Sequence, residues 1–388
     1  MSDNVTPIFD NPQEPKKNPL KKQWILFFCI LGVILVLLVL ILFFCTHAMD
    51  GVKRYFRYLG TDEATYANIK FDSYGNSDSV LIGNRLAIAT QDSFTVYKEN
   101  GEALQNLNIS FSDPVLDVAG KYVLLSDVGG KRLILMDRDG KICFNLETSG
   151  IIYDADLTSD GSCAVLYEGT DYFAALDVYN ADGGLLYSHH SESTFLNSCA
   201  LSPDGSLALV TTLGQEDIGF HSSGRVLTTR SEGILSEFSF GTQVIFDAAF
   251  LKNDVICAVG ENSLFFFDPQ GKLISEYQEE NAGLVSYCFD EDHIFAVYDL
   301  FETGNGCRIC SLSPDGQVTC SVDIPLIPVD IHAYGDYLSV LDAEQLVIYD
   351  QELTPCHETV NSGYDTALVR RDGTAICLGG GCAELYIP

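Results

Sequence analysis

An all-β fold of about eight four-stranded units, preceded by one transmembrane α-helix, is what the sequence predicts. Three observations predict it. One charge-free apolar run lies near the N-terminus, two interleaved series of turn signals repeat about every 41 residues, and no helical pattern of ten or more residues follows residue 66.

The first 23 residues hold Pro7, Pro12, Pro15 and Pro19 among polar side chains, which predicts a disordered tail. Residues 24–45 (WILFFCILGVILVLLVLILFFC) carry no charge and no proline. At 1.5 Å per residue such a helix spans about 33 Å, against a hydrocarbon core of about 30 Å. Trp24 stands where an indole suits the lipid–water boundary. A cleaved signal peptide is a poorer fit, because its apolar region is shorter and Cys45-Thr46-His47-Ala48 is a poor cleavage site. Lys16, Lys17, Lys21 and Lys22 precede the helix, and Lys53, Arg54 and Arg57 follow it. That bias predicts a cytoplasmic N-terminus and an extracytoplasmic body on the cell membrane. A cytoplasmic body is the alternative. Residues 46–66 are read as a linker and 67–388 as the body.

The repeats define that body. A first turn series falls at Gly83-Asn84, Ala119-Gly120, Asp160-Gly161, Asp204-Gly205, Asn253-Asp254, Glu291-Asp292, Gly335-Asp336 and Asp372-Gly373. A second interleaves with it at Asn100-Gly101, Asp139-Gly140, Asp182-Gly183, Glu232-Gly233, Gln270-Gly271, Asp315-Gly316 and Gln351-Glu352. Apolar or alternating strands flank both, as in residues 132–137 (RLILMD) and 264–268 (LFFFD). Four strands per period, A to D, are the blade of a β-propeller. The first series joins A to B, and the second joins C to D. Residues 384–388 read as the C strand of an eighth blade, and residues 67–71 (ANIKF) are free to supply its D strand and close the ring. A seven-bladed ring with one irregular hairpin is the alternative.

The formal charge is −32 and sits wholly after the anchor, where 50 acidic residues face 18 basic ones. Such a field repels phosphate backbones and anionic headgroups, which excludes nucleic acid as a partner class.

The Ser202-Pro203-Asp204-Gly205 and Ser313-Pro314-Asp315-Gly316 turns, with their flanking strands, resemble the WD40-like and quinoprotein-like propeller superfamily. A lysine-flanked N-terminal helix before an acidic ectodomain resembles an uncharacterised family of membrane-anchored propellers from Gram-positive bacteria. These resemblances imply architecture and location, and no activity. The only tryptophan is Trp24. The Trp-Asp pairs of WD40 repeats and the tryptophan docking motifs of quinone-dependent dehydrogenases are therefore absent, and no cofactor is expected.

The 13 cysteines mostly fall among Val, Ala and Leu, as in Ile256-Cys257-Ala258 and Ile376-Cys377-Leu378, where cysteine acts as a small apolar residue. A three-residue loop at Pro314-Asp315-Gly316 would set Cys310 opposite Cys320 within disulfide reach. Cys307 and Cys310 form a C-x-x-C only on paper, since a strand points them to opposite faces.

Short turns occupy one rim of the ring, and the B–C and D–A loops occupy the other. Residues 213–224 and 299–306 are the longest of these loops, and the connection after the third blade adds His189, His190 and Glu192. With Glu216, Asp217 and His221 these residues are expected on one rim, where variable loops place binding. They are candidate metal ligands without the fixed spacing of a known site. Asp154-Ala-Asp156 and Asp137-Arg-Asp139-Gly140 lack the downstream Glu of a calcium loop. Gly379-Gly380-Gly381 precedes no helix, so it is no phosphate loop. No G-x-S-x-G, H-E-x-x-H or Walker-type run occurs, and no enzyme is expected. The function that follows is a membrane-tethered module for binding or scaffolding, with an envelope protein, a peptide or a glycan as partner. A metal-dependent enzyme or sensor on the rim of blades three and four is the alternative.

Overall fold

The computed structural model describes residues 19–45, 50–59, 69–71, 75–216, 219–231, 233–290, 293–300 and 306–388. They divide into two compact units, Met1–Gly60 and Thr61–Pro388. In the first unit α1 (Pro19–Cys45) begins at a proline, well before Trp24. Proline suits a helix start, where its missing N–H has no partner to lose. Within α1 the described side chains, Trp24 and those of residues 26–39, are exposed. Among the described residues no helix is long and apolar enough to cross a membrane. A second helix, α2 (Asp50–Arg57), lies within the expected linker, with Arg54 and Arg57 at its negative end.

Among its described residues the regular elements of the second unit are strands and one 3₁₀ turn at Lys252–Asp254. After β1 (Ile69–Lys70) come β2–β5 (Ser77–Ile82, Arg85–Thr90, Ser93–Tyr97, Ala103–Leu107) and β6–β9 (Asp113–Ala119, Tyr122–Val128, Arg132–Asp137, Ile142–Glu147). Next are β10–β13 (Ile152–Leu157, Cys163–Glu168, Ala174–Tyr179, Leu185–Ser191) and β14–β17 (Phe195–Leu201, Leu207–Glu216, Gly219–Thr228, Ile234–Ser239). They are followed by β18–β21 (Ile245–Phe250, Ile256–Gly260, Leu264–Phe267, Leu273–Tyr277) and β22–β25 (Gly283–Phe289, Ile294–Asp299, Cys307–Leu312, Val318–Ile324). The last are β26–β29 (Asp330–Tyr334, Tyr337–Leu341, Gln345–Asp350, Pro355–Val360) and β30–β32 (Thr366–Val369, Ala375–Gly379, Cys382–Tyr386).

Each group is an antiparallel meander; β6–β9 and β10–β13 join into one eight-stranded sheet through a parallel bridge, Ile152 to Val128. The last sheet takes its fourth strand from the start of the unit, with Ile69 opposite Ala383 and Lys70 opposite Cys382. First strands of successive sheets lie against one another: β2 on β6, β10 on β14, β14 on β18, β22 on β26 and β26 on β30. They are therefore the inner strands of a propeller-like fold.

Alternation along each strand sends neighbouring side chains to opposite faces, so the core lies between sheets. Phe94 and Val96 of one sheet pack with Val123, Leu125 and Ile134 of the next. Further round, Phe238 stacks on Phe267 with ring centroids 4.3 Å apart. Turn chemistry explains the hairpins that separate C from D. Asp137 and Asp350 each accept two backbone N–H groups from the turn they open, and Asp268 accepts that of Lys272. The residue three positions on is left-handed, glycine at Gly140 and Gly271 but leucine at Leu353. The first A–B turn after β6 is Gly120-Lys121, one residue later than the sequence suggested.

Every C–D hairpin carries an extra residue near the start of its D strand, which sequence reasoning did not anticipate. In β25 that residue is Thr319, and it shifts the register by one. Cys310 consequently stands opposite Ser321 and Cys320 opposite Ser311, so the expected Cys310–Cys320 pair does not face, and both thiols are unpaired. Cys307 and Cys310 do point apart, into the cores on either side of their sheet.

Candidate functional site

The inner strands share one feature at the end nearest the D–A connections. Six consecutive strands present an exposed apolar side chain there: Val115 on β6, Tyr153 on β10, Phe195 on β14, Phe246 on β18, Val285 on β22, and Val329 just before β26. Their relative exposures run from 37% for Tyr153 to 56% for Phe246 and Val329, whereas Leu116, Ile152, Leu196 and Ile245 on the same strands are buried. Bulges produce the effect in part. Register shifts fall between Ile152 and Asp154, Ile245 and Asp247, and Leu284 and Ser286, leaving Tyr153, Phe246 and Val285 as the unpaired extra residues. A bulge re-aims the side chain it carries and adds local twist. Phe195 lies edge-on to exposed Phe173 at 5.0 Å, extending the apolar collar towards β12.

Beneath the collar the same strands carry carboxylates that bridge one sheet to the next. Asp78 accepts the Leu116 N–H at 2.8 Å, Asp154 that of Cys199 at 2.8 Å, Asp156 that of Leu201 at 2.5 Å, and Asp330 that of Ala367 at 2.9 Å. Asn197 donates to the Ile245 carbonyl at 2.7 Å, and Asp247 accepts the Tyr287 hydroxyl at 3.1 Å. Asp117 faces the Leu157 N–H and leaves its Oδ2 buried without a partner.

These groups retain some water contact yet are enclosed by protein on most sides. Burial lifts Asp154 to about 7 and Asp117 to about 6, and the neighbouring carboxylate of Asp247 adds to both shifts. Asp156 is pushed well up by burial and by Asp117, while Asp78, Asp247 and Asp330 are raised chiefly by burial. Asp117 and Asp247 are carried on the second and fifth inner strands in order, and the Asp247 carboxylate is among the charges that raise Asp117. The eight inner strands hold seven aspartates and no lysine or arginine.

Asp78, Asp154, Asp156 and Asp330 accept backbone N–H groups, and burial raises the Cys199 and Cys257 thiols, keeping them protonated. His332 on β26 is lowered to about 4 by burial and stays neutral, with Nδ1 unpartnered.

The residues singled out in the sequence are placed differently. His189 and His190 lie within β13 on opposite faces. His189 is lowered by burial and by Arg225, and His190 stacks on Tyr172 at 4.2 Å. Glu192 is exposed just beyond β13. Of residues 213–224 the described ones are strand: β15 and β16 extend as a ladder to Glu216 opposite Gly219, with His221 opposite Gly214 and Phe220 exposed. Asp217 and residues 301–305 lie outside the described residues. Among the described residues no group of three or more His, Cys, Asp or Glu is placed to hold a metal ion. Sequence reasoning looked for donors on long loops and passed over the inner strands. The signal was present as an apolar–aspartate pair at Tyr153-Asp154, Phe246-Asp247 and Val329-Asp330, each opening an A strand.

The model of a family of unknown function (DUF5711) matches residues 60–354. No curated protein matches the chain. Among solved structures it is similar to the C-terminal WD40 domain of Sif2, at 12% identity and TM-score 0.58, over 82% of this chain and 97% of that one. It is also similar to BamB from Moraxella catarrhalis, at 13% identity and TM-score 0.51, over 82% and 97% of the two chains. Hydrazine synthase from Kuenenia stuttgartiensis aligns at 13% identity and TM-score 0.48, over 70% and 94%, and carries no argument. At these identities the likeness establishes the fold, an all-β propeller, and nothing about partners.

Proposed function

The chain belongs to the DUF5711 family, and we propose that it is an eight-bladed propeller, tethered by α1 to the cell membrane, that binds a protein partner outside the cytoplasm. The observation that carries the binding reading is the collar, one exposed apolar side chain at the head of six consecutive inner strands. Apolar groups that recur at equivalent positions of a rigid ring mark an interaction surface more than chance exposure does. Eight blades are supported by six four-stranded sheets and one eight-stranded sheet built from two meanders. The tether rests on the charge-free run of residues 24–45 and the four lysines before it. BamB and the WD40 domain of Sif2 are propellers without any catalytic inference for this chain, in keeping with a scaffold.

Crosslinking from intact cells tests the reading. A photoreactive residue placed at Phe246 of the full-length protein should capture a protein, and the same group at exposed Leu273, on the start of a D strand, should not. Equal capture at both positions removes the collar from the argument. Impermeant thiol labelling of a cysteine introduced at Glu192 tests the topology, since only an extracytoplasmic propeller reacts in intact cells.

A further inference from the structure

We propose that the occupant of the collar is an extended polypeptide segment that alternates large apolar side chains with lysine or arginine. The inference rests on the collar being the binding face and names the chemistry of what binds there. Two observations on the same strands converge on it. The collar offers aromatic and branched side chains, Tyr153, Phe195, Phe246 and Val329 among them, all open to solvent. Behind it the collar strands β6, β10, β18 and β26 supply six aspartates, and the six collar strands hold no lysine or arginine, so no such cation of the fold's own neutralises them from these strands. Asp117 keeps one oxygen buried without a donor.

Complementarity then selects among occupants. An acidic segment, a nucleic acid or an anionic lipid surface meets the repulsion of a chain with net charge −32. A neutral apolar segment fills the collar but leaves the carboxylates without counter-charge. A second copy of this chain brings the same like-charged face. A basic, apolar segment satisfies both layers, its apolar groups seated between the collar residues and its cations directed to the aspartates. Charge complementarity of this kind chiefly governs association rate and partner choice.

The experiment reads the sequence captured and the sign of the charge effect. Peptides crosslinked through Phe246 of the full-length protein are identified by mass spectrometry, and the captured segment is synthesised for binding measurements on full-length protein in nanodiscs. The expected segment has net positive charge and at least two large apolar residues. Its affinity should fall about tenfold or more with Phe246→Ser, and by a similar factor when its own lysines and arginines are replaced by Gln. Val329→Lys should weaken binding about tenfold, whereas Val329→Glu should hold or strengthen it; both changes are at an exposed position, so the fold is not at stake. Raising salt from 0.1 to 0.5 M should weaken it further. A captured segment that is neutral or acidic, or a Val329→Lys variant that binds as well as Val329→Glu, overturns the inference while leaving the collar as a protein-binding face. Capture of lipid or glycan only, or of nothing, overturns both.

Discussion

The six apolar strand heads contrast with the two that flank the closure of the ring. At β2 and β30 the corresponding residues are polar, Ser77, Asp78 and Ser79 on one side and Asp365 and Thr366 on the other, around a cavity of about 230 Å³. Most inner-strand neighbours elsewhere are tied by a side chain reaching into the next sheet, as Asp154 reaches Cys199 and Asp330 reaches Ala367. Among the described residues no such bridge joins β30 to β2. Closure depends instead on the two residues of β1 against β32, extended by the Phe71 N–H to the Gly381 carbonyl at 3.0 Å. Binding surface and closure therefore occupy different arcs of one ring. A partner can seat on the collar without loading the seam.

The largest expected effect is at the seam. Ile69 is 1% exposed, and Ile69→Ala removes most of a buried aliphatic side chain from a strand of two residues. A loss of about 2–5 kcal/mol is expected, with β31 and β32 amides exchanging first while β19 and β23 stay protected. Hydrogen exchange followed by mass spectrometry reads this directly. Uniform exchange across all sheets would show that the seam is no weaker than the other junctions.

Next in size is the pH response of the bridged arc. Asp154 near 7 and Asp117 near 6 lie above their unfolded value of 3.8, so the folded state holds protons the unfolded chain releases. Stability from these groups is complete below about pH 4 and is lost as pH rises through 6 to 7. The propeller should therefore melt at a higher temperature at pH 5 than at pH 8. Asp154→Asn keeps an acceptor for the Cys199 N–H and removes the charge. It should raise stability at pH 8 by on the order of 1–3 kcal/mol and flatten the profile. A variant that is less stable than the parent at pH 8 means that the Asp154 charge is compensated in the fold.

Much of the fold was legible in the sequence, whereas the collar was not. Turn pairs such as Asp139-Gly140 and Asp204-Gly205 announce themselves because glycine alone accepts the left-handed backbone without cost. Residues 67–71 were recognisable as the closing strand because the repeat count left one edge open. Register was not legible. An extra residue such as Thr319 or Phe246 has no compositional mark, and one insertion changes which side chains face each other and which face water. Residues 213–224 misled for a related reason: Gly, Gln, Glu and Ser lack strand propensity, yet pairing with a partner of equal length carries the β15–β16 ladder through them. The burial of the inner carboxylates was not legible either, because it arises from the packing of one sheet against the next: in the sequence Asp154-Ala-Asp156 reads only as a calcium-loop pattern.

Two substitutions at strand heads have the smallest effect on stability and sharpen the contrast most. Phe246 is 56% exposed, and Phe246→Ser should change stability by no more than about 0.5 kcal/mol while cutting crosslinking through the neighbouring collar position Phe195 about tenfold. Thr366→Val, at the polar seam, should alter capture less than twofold, since that arc offers no apolar neighbour on β2 to extend. Thermal melts establish that both variants fold, and capture yield separates them. If Thr366→Val depresses capture as strongly as Phe246→Ser, the binding face runs through the seam, and the ring has no arc reserved for closure.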